Sequence, residues 1–452
     1  MQEFDLVVIG AGPGGYETAL AAAGNMRVAL VEKEQLGGTC LNRGCIPTKT
    51  LLHTAELLEE MRRSELFGIR HGEAACDFAT LLERKDQVIR QLRDGIALRM
   101  KQKKVAVFEG TGTILDAHTV RVTGEEETLL KTERILIATG SRPAMPPIPG
   151  IDLPHVETSD SLLNKADGIY PRLLIIGGGV IGVEFASVFA ALGSEVTIVE
   201  ALPRLLSNMD KEIGQSLKML LKKRGMQVHC DTRVQEIRET ENGLQCICLQ
   251  GDKQLELEAD GILVCVGRRP FTGGLFGPGF GVEEDRGRIL VDEQYDTSCH
   301  GIYAIGDVTG GMMLAHAATA QGKCALAHML GKPSPVTMII PACVYTNPEI
   351  ATIGLTLEEA RAQGLQADSR KYPMSANGKS LLSEQERGFI KVVYEKDSHR
   401  LLGAQLMCAR ASDMISGMTQ ALVRGDTLEQ LASVIRPHPT FSEGISEAVT
   451  LS

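Results

Sequence analysis

A chain of 452 residues is too long for one compact core and predicts two to four domains of ordinary size. With 43% apolar and 23% charged residues and no low-complexity run, it is excluded from the disordered class. The net charge of -10 is spread along the length, and the basic clusters Lys101-Gln-Lys-Lys104 and Lys222-Lys-Arg224 lack interleaved aromatics, so no nucleic-acid partner is expected. Both clusters fall at the ends of helical patterns, where cations complement the C-terminal dipole.

Met-Gln-Glu-Phe-Asp runs directly into a strand with no basic leader, and no stretch reaches the roughly 18 apolar residues of a membrane span. The expectation is a cytoplasmic protein with no membrane partner. Eleven cysteines are too sparse for a secreted disulfide framework, so most are expected as buried thiols. A functional pair must be told apart by its surroundings.

In chain order, Leu6-Val-Val-Ile9 reads as a short strand. It enters the glycine loop Gly10-Ala-Gly12-Pro-Gly-Gly15, followed by a helix to about Gly24 and a strand Val28–Val31 that ends on Glu32. A GxGxxG run alone is weak. Here it follows a strand, opens a helix and has an acidic residue at the end of the next strand. That context fits a pyrophosphate on the helix N-terminus and a ribose on the carboxylate.

The next segment is Gly37-Gly-Thr-Cys40-Leu-Asn-Arg-Gly-Cys45-Ile-Pro-Thr-Lys49. Five residues apart in a regular helix, Cys40 and Cys45 would point in different directions, so a disulfide requires a distorted first turn. Gly44 and Pro47 supply the means: glycine tolerates unusual dihedrals, and the proline ring clashes with the carbonyl four residues back. A helix start also lowers a thiol pKa. The dipole contributes roughly 0.3–1 kcal/mol, less than the roughly 1.4 kcal/mol of one pKa unit, so a further cation or base is needed.

The strand–loop–helix–strand pattern then repeats: Leu173–Ile176 enters Gly177-Gly-Gly179-Val-Ile-Gly182, a helix runs to about Leu192, and Val196–Val199 ends on Glu200. Two dinucleotide sites follow. Glu200 would repel a 2′-phosphate, which favours NAD over NADP despite Arg204 nearby. Cys246 and Cys248 alternate on a strand, and with no second pair at metal spacing no zinc site, or any metal, is expected. Cys265, Cys324 and Cys343 lie among small or apolar residues, and His316 reads as a helix histidine.

The run Cys-Leu-Asn-Arg-Gly-Cys-Ile-Pro-Thr-Lys resembles the redox-active segment of the class I pyridine nucleotide-disulfide oxidoreductases, most of all their dihydrolipoamide dehydrogenase branch. Further matches follow in the family's order: Ile135–Pro143, Val266-Gly-Arg-Arg-Pro270, Gly301-Ile-Tyr-Ala-Ile-Gly-Asp307 and His438-Pro-Thr-Phe-Ser-Glu443. The resemblance implies an α/β fold with two Rossmann-like dinucleotide-binding domains and a C-terminal α+β dimerisation domain. The expected division is 1–142 (FAD-binding, first part, with the redox disulfide), 143–265 (NAD-binding), 266–338 (FAD-binding and central, second part) and 339–452 (interface).

It further implies that Cys40 exchanges with substrate, Cys45 lies against the flavin, and Lys49 sits near the flavin with Glu184 as its partner. Gly10, Gly12, Gly15, Glu32, Thr139, Gly140 and Asp307 are then expected at FAD, and Gly177, Gly179, Gly182, Glu200 and Gly267 on the NAD side. The needed base is expected in His438, which precedes a proline and so sits in an extended loop before a helix beginning near Ser442, with Glu443 to orient it. In the family this histidine reaches the disulfide of the other subunit, which implies an obligate homodimer. The implied reaction is oxidation of dihydrolipoamide, free or on a lipoyl domain of a 2-oxo acid dehydrogenase or glycine cleavage complex, with reduction of NAD; the alternatives are another NAD(P)H-dependent disulfide reductase of the family or a non-catalytic flavin-bound assembly protein. One departure stands out: the branch often has a second histidine two residues before the catalytic one, where this chain has Arg436 followed by Pro437.

Overall fold

In the computed structural model, which describes residues 2–72, 74–165, 168–385 and 387–450, the first apolar run is the buried half of a longer strand, β1 (Gln2–Ile9). The strand starts ahead of the apolar run because Gln2–Phe4 pair in parallel with Leu130–Thr132 of the long strand Glu127–Ile137. Helix α1 (Pro13–Ala22) and strand β2 (Val28–Glu32) complete the first unit, as expected. The parallel order is Ala106–Glu109, β2, β1, Glu127–Ile137, and the far end of the sheet is an antiparallel meander through Thr119–Thr123 and Thr111–Asp116. Ile302–Ala304 returns from far along the chain to pair in parallel with Ile135–Ile137.

Between β2 and the rest of this sheet lie α2 (Gly38–Arg43) and α3 (Cys45–Arg63). The expected distorted first turn is a full break between two helices. Gly44 sits there at φ -143°, ψ -110°, and a Cβ on it would lie 3.0 Å from the Thr39 carbonyl oxygen. Glycine eases this close approach, and Pro47 stands within the first turn of α3.

The second unit repeats the first with β3 (Arg172–Ile176), α4 (Val180–Ala191) and β4 (Glu195–Val199). Its sheet is wholly parallel, in the order Gln227–His229, β4, β3, Gly261–Val264, Val156–Thr158. A three-stranded meander over Thr232–Ala259 buries Cys246 and Cys248 against β3 and β4. Short antiparallel strands Ser141–Pro143 and Arg268–Pro270 carry the chain into and out of this unit side by side.

The C-terminal part is a five-stranded antiparallel sheet ordered Ala342–Val344, Ile350–Gly354, Leu401–Met407, Phe389–Glu395, Ala367–Pro373. Helix Ala411–Arg424, α5 (Leu428–Ala432) and α6 (Glu443–Thr450) pack on it through Ile415, Leu431 and Ile445. The fold class is therefore α/β with an α+β C-terminal part. Among the described residues no helix is long and apolar enough to cross a membrane.

Two parts of the molecule are locked by a buried charge. Lys391, 5% exposed, places Nζ 2.8 Å from both Asp210 Oδ2 and Glu212 Oε1 at the start of the helix Lys211–Lys223. Removing one partner of a buried pair leaves the other charge uncompensated. Lys391→Met is expected to lower unfolding free energy by about 3–5 kcal/mol in urea titrations. Lys371→Met removes an exposed partner of the same Glu212 and is expected to lower it by less than about 1 kcal/mol.

Candidate active site

The two glycine loops are the same structure built twice. Gly10 and Gly177 have left-handed φ of 102° and 111°, and a Cβ on them would meet the Ala138 and Cys265 carbonyl oxygens at 2.4 and 2.5 Å. On Gly15 and Gly182 it would lie 1.9 and 2.0 Å from the Gly10 and Gly177 oxygens, so each helix packs on its own turn as only glycine permits. Gly12 and Gly179 have nothing within 4 Å. The protein does not need glycine there for its own packing. The open space lies at the N-termini of α1 and α4, where donor N–H groups and the helix dipole suit a pyrophosphate.

The acidic residues repeat as well. Glu32 accepts from the backbone N–H of Ala11 at 2.7 Å and of Glu34 at 2.9 Å. Glu200 accepts from Gly178 at 2.6 Å and Leu202 at 2.7 Å. Each carboxylate is held beside its loop with lone pairs left for ribose hydroxyls. Arg204, the one feature that argued for NADP, is engaged by the Ser207 carbonyl at 3.1 Å and lies 3.9 Å from Glu358.

One cavity of about 1950 Å³ joins both loops. It is lined by Gly10, Gly12, Gly15, Glu32, Cys40, Cys45, Lys49, Thr139, Gly140 and Asp307 from the first unit and its return strand, and by Gly177, Gly179, Glu184, Glu200 and Gly267 from the second. Gly182 does not line it and serves the helix–strand packing just described. His438 and Glu443 do not line it either. Asp307 arrives through the pairing of Ile302–Ala304, and its Oδ2 accepts from Ser141 Oγ at 2.5 Å. Arg268 Nε donates to that same hydroxyl at 2.7 Å. Ser141 and Arg268 were not singled out from sequence, although both stand in runs that were.

Lys49 Nζ lies 2.8 Å from Glu184 Oε2, the pairing that the resemblance implied. Glu184 is 2% exposed, and its other oxygen accepts the Tyr345 N–H at 3.0 Å. Lys49 also stands 4.6 Å from the centroid of the Tyr345 ring. Tyr345 is a further residue that sequence reasoning missed: it lay within 339–452, read only as the interface part.

Cys40 and Cys45 face each other across the Gly44 break. The hydrogen bond from Cys40 holds the Cys45 thiol down at about 7 against the burial that opposes ionisation, with Lys49 as a further stabilising charge. Cys40 is pushed up by the same hydrogen bond, by burial and by repulsion from Cys45. The pair therefore stores one thiolate, on Cys45. Cys265 and Cys343 also line the cavity, but burial raises both, Cys343 to about 11. Among the described cavity thiols only Cys45 is ready to ionise near neutrality.

His438 stands in the loop before α6, as expected, with 79% of its side chain exposed. Its Nδ1 lies 2.9 Å from Glu443 Oε1, and Glu443 Oε2 accepts the Thr440 N–H at 2.7 Å. These contacts hold the Glu443 carboxyl below its ordinary range, the backbone bond first. An imidazole that donates from Nδ1 to a carboxylate leaves Nε2 free to accept a proton.

The thiol geometry makes a direct prediction. Ultraviolet titration of the reduced protein is expected to show one thiolate lost with a midpoint near pH 7, the Cys45 value. Cys45→Ser should abolish that step, and Lys49→Met should move its midpoint upward, since loss of a neighbouring cation disfavours the anion. A step that survives Cys45→Ser would contradict the assignment.

Comparison with known proteins agrees with this geometry. Residues 4–322 match the pyridine nucleotide-disulphide oxidoreductase family, and residues 340–449 its dimerisation domain. Over 454 residues the chain is 38% identical to a dihydrolipoyl dehydrogenase of Chlamydia pneumoniae, covering 100% of this chain and 97% of that protein. It is 37% identical to one of Bacillus subtilis, covering 99% and 97%. Among solved structures it resembles the HOCl-induced flavoprotein disulfide reductase RclA of Escherichia coli, with TM-score 0.88 and 31% identity over 100% and 99% of the two chains. LpdA of Mycobacterium tuberculosis superposes with TM-score 0.90 at 26% identity, over 99% of each chain. The chain belongs to the pyridine nucleotide-disulphide oxidoreductase family, as an FAD- and NAD(H)-using disulfide oxidoreductase.

Proposed function

We propose that the protein oxidises dihydrolipoamide, free or carried on the lipoyl domain of a 2-oxo acid dehydrogenase or glycine cleavage complex, and reduces NAD+ as a cytoplasmic homodimer. The observation that carries this reading is the Cys40/Cys45 pair, poised with its single thiolate on Cys45 beside Lys49, in a chain similar along its length to dihydrolipoyl dehydrogenases. The domain division expected from sequence goes with it. Gly10, Gly12, Glu32, Thr139, Gly140 and Asp307 would hold FAD, and Gly177, Gly179, Glu200 and Gly267 would hold NAD.

His438 is exposed and absent from its own cavity, which supports a base contributed across a dimer by the second copy. Its Nε2 takes the proton of one substrate thiol, and the resulting thiolate attacks the sulfur of Cys40. The Cys40–Cys45 bond breaks, a mixed disulfide forms on Cys40, and Cys45 leaves as a thiolate stabilised by Lys49. The second substrate thiol then displaces Cys40 and its proton passes to the Cys40 sulfur, so the cyclic disulfide is released, Cys40 is left donating to Cys45 and the first proton stays on His438. Held beside Cys45, FAD would supply the two-electron chemistry that links this dithiol to the nicotinamide.

Cys40→Ser or Cys45→Ser is expected to lower NAD+-linked dihydrolipoamide oxidation by roughly 10³-fold or more, and His438→Ala by roughly 10²–10⁴-fold. All three should still bind FAD and reduce a soluble dye from NADH. The similarity to RclA favours one alternative, a reductase of another disulfide working from NADH. Turnover on dihydrolipoamide, glutathione disulfide and other disulfides with NAD(H) and NADP(H) decides: a preference for a substrate other than the lipoyl group would sink the proposal.

A further inference from the structure

The loop that carries His438, residues 433–442, is strung between α5 and α6. Ile435 is 95% exposed and the His438 side chain 79%, so the outer side of the loop gains little from packing within its own chain. Its inner side is held by Arg436. The Arg436 Nη1 donates to the Leu431 and Val434 carbonyls at 3.3 Å each, at and just beyond the end of α5. The same nitrogen donates to Ser446 Oγ at 2.6 Å. Ser446 stands three residues beyond Glu443 in α6, on the same face of that helix.

A half-buried guanidinium is a poor choice if stability is all it provides. Burial lowers the Arg436 pKa, and among the described residues no carboxylate forms an ion pair with it to offset that. A neutral side chain of similar length would avoid that desolvation. What the guanidinium supplies is direction, because it reaches the end of one helix and the first turns of the next at once. Carbonyls at a helix C-terminus keep a lone pair for such a cation, even where, as at Leu431, a backbone N–H already donates to them.

We propose that Arg436 is a positioning residue for the acid–base histidine. By tying the end of α5 to α6 it fixes the first turn of α6, hence Glu443, hence the imidazole that Glu443 holds. This rests on the reading of His438 as the proton acceptor for substrate dithiol. Displacement of a reacting group by about an ångström can cost up to roughly 10²-fold in rate, so a loosened loop should act on kcat.

The test uses the FAD-loaded protein. Arg436→Met is expected to lower kcat for NAD+-linked dihydrolipoamide oxidation about tenfold, with little change in the KM for NAD+. Ferricyanide reduction by NADH, which does not call on His438, should stay within about twofold of the unaltered protein, and the melting temperature should hold. Ser446→Ala removes one end of the tie and should lower kcat about threefold; combined with Arg436→Met it should add nothing further. Unchanged dithiol turnover in Arg436→Met overturns the proposal, as does a parallel fall in ferricyanide reduction or melting temperature, which marks a structural role only. If Arg436→Met does not fold, Ser446→Ala decides, and unchanged kcat there overturns it. A His438→Ala protein that oxidises dihydrolipoamide normally would instead overturn the reading of His438.

Discussion

A carboxylate withdrawn from water must be given partners, and Glu184 draws its partners from two distant parts of the chain. Lys49 comes from α3 in the first unit, and the Tyr345 N–H comes from the C-terminal sheet region. Glu184 itself stands on α4 of the second unit. An unpaired ion at 2% exposure would cost several kcal/mol, so the three parts must meet at this point or the pocket cannot form. The placing of the thiol pair follows from that meeting. Lys49 is one turn along α3 from Cys45, so pinning the lysine pins the thiol.

The cysteine pair depends on a second constraint, local where the first is global. A continuous helix would part Cys40 from Cys45, and the Gly44 break turns them toward each other. Closeness then divides their acidities: one proton is shared, Cys45 keeps the negative charge, and Cys40 keeps the hydrogen. A disulfide formed between them would have an asymmetric pair of leaving groups, and in the proposed reaction that asymmetry directs attack to Cys40.

Much of this was legible in the sequence because it is written in short-range patterns. Both glycine loops, with Glu32 and Glu200 closing the following strands, could be read from spacing alone, and the structure repeats them almost bond for bond. The break at Gly44 was visible as a need for distortion. Lys49 with Glu184, and Asp307 near the first loop, came only through resemblance, because their partners are brought together by pairing between remote strands and helices. Tyr345, Ser141 and Arg268 were missed for a related reason. Tyr345 acts on Glu184 through its backbone N–H, which leaves no trace in residue type. Ser141 and Arg268 matter through each other, as neighbours across a two-strand link that no single segment reveals.

The return of Ile302–Ala304 to the first sheet has a consequence for how the chain is made. Ile135–Ile137 finish the parallel core of the first sheet only when Ile302–Ala304 arrive beside them, and the whole second unit lies between in the sequence. On that flank Glu127–Lys131 already pair with Thr119–Thr123, but Ile135–Ile137 have no partner until the chain beyond the second unit has been made. An open strand of isoleucine and leucine is an invitation to misassembly. The first glycine loop cannot acquire Asp307 before that strand closes, so the pocket can be completed only after its neighbour has emerged.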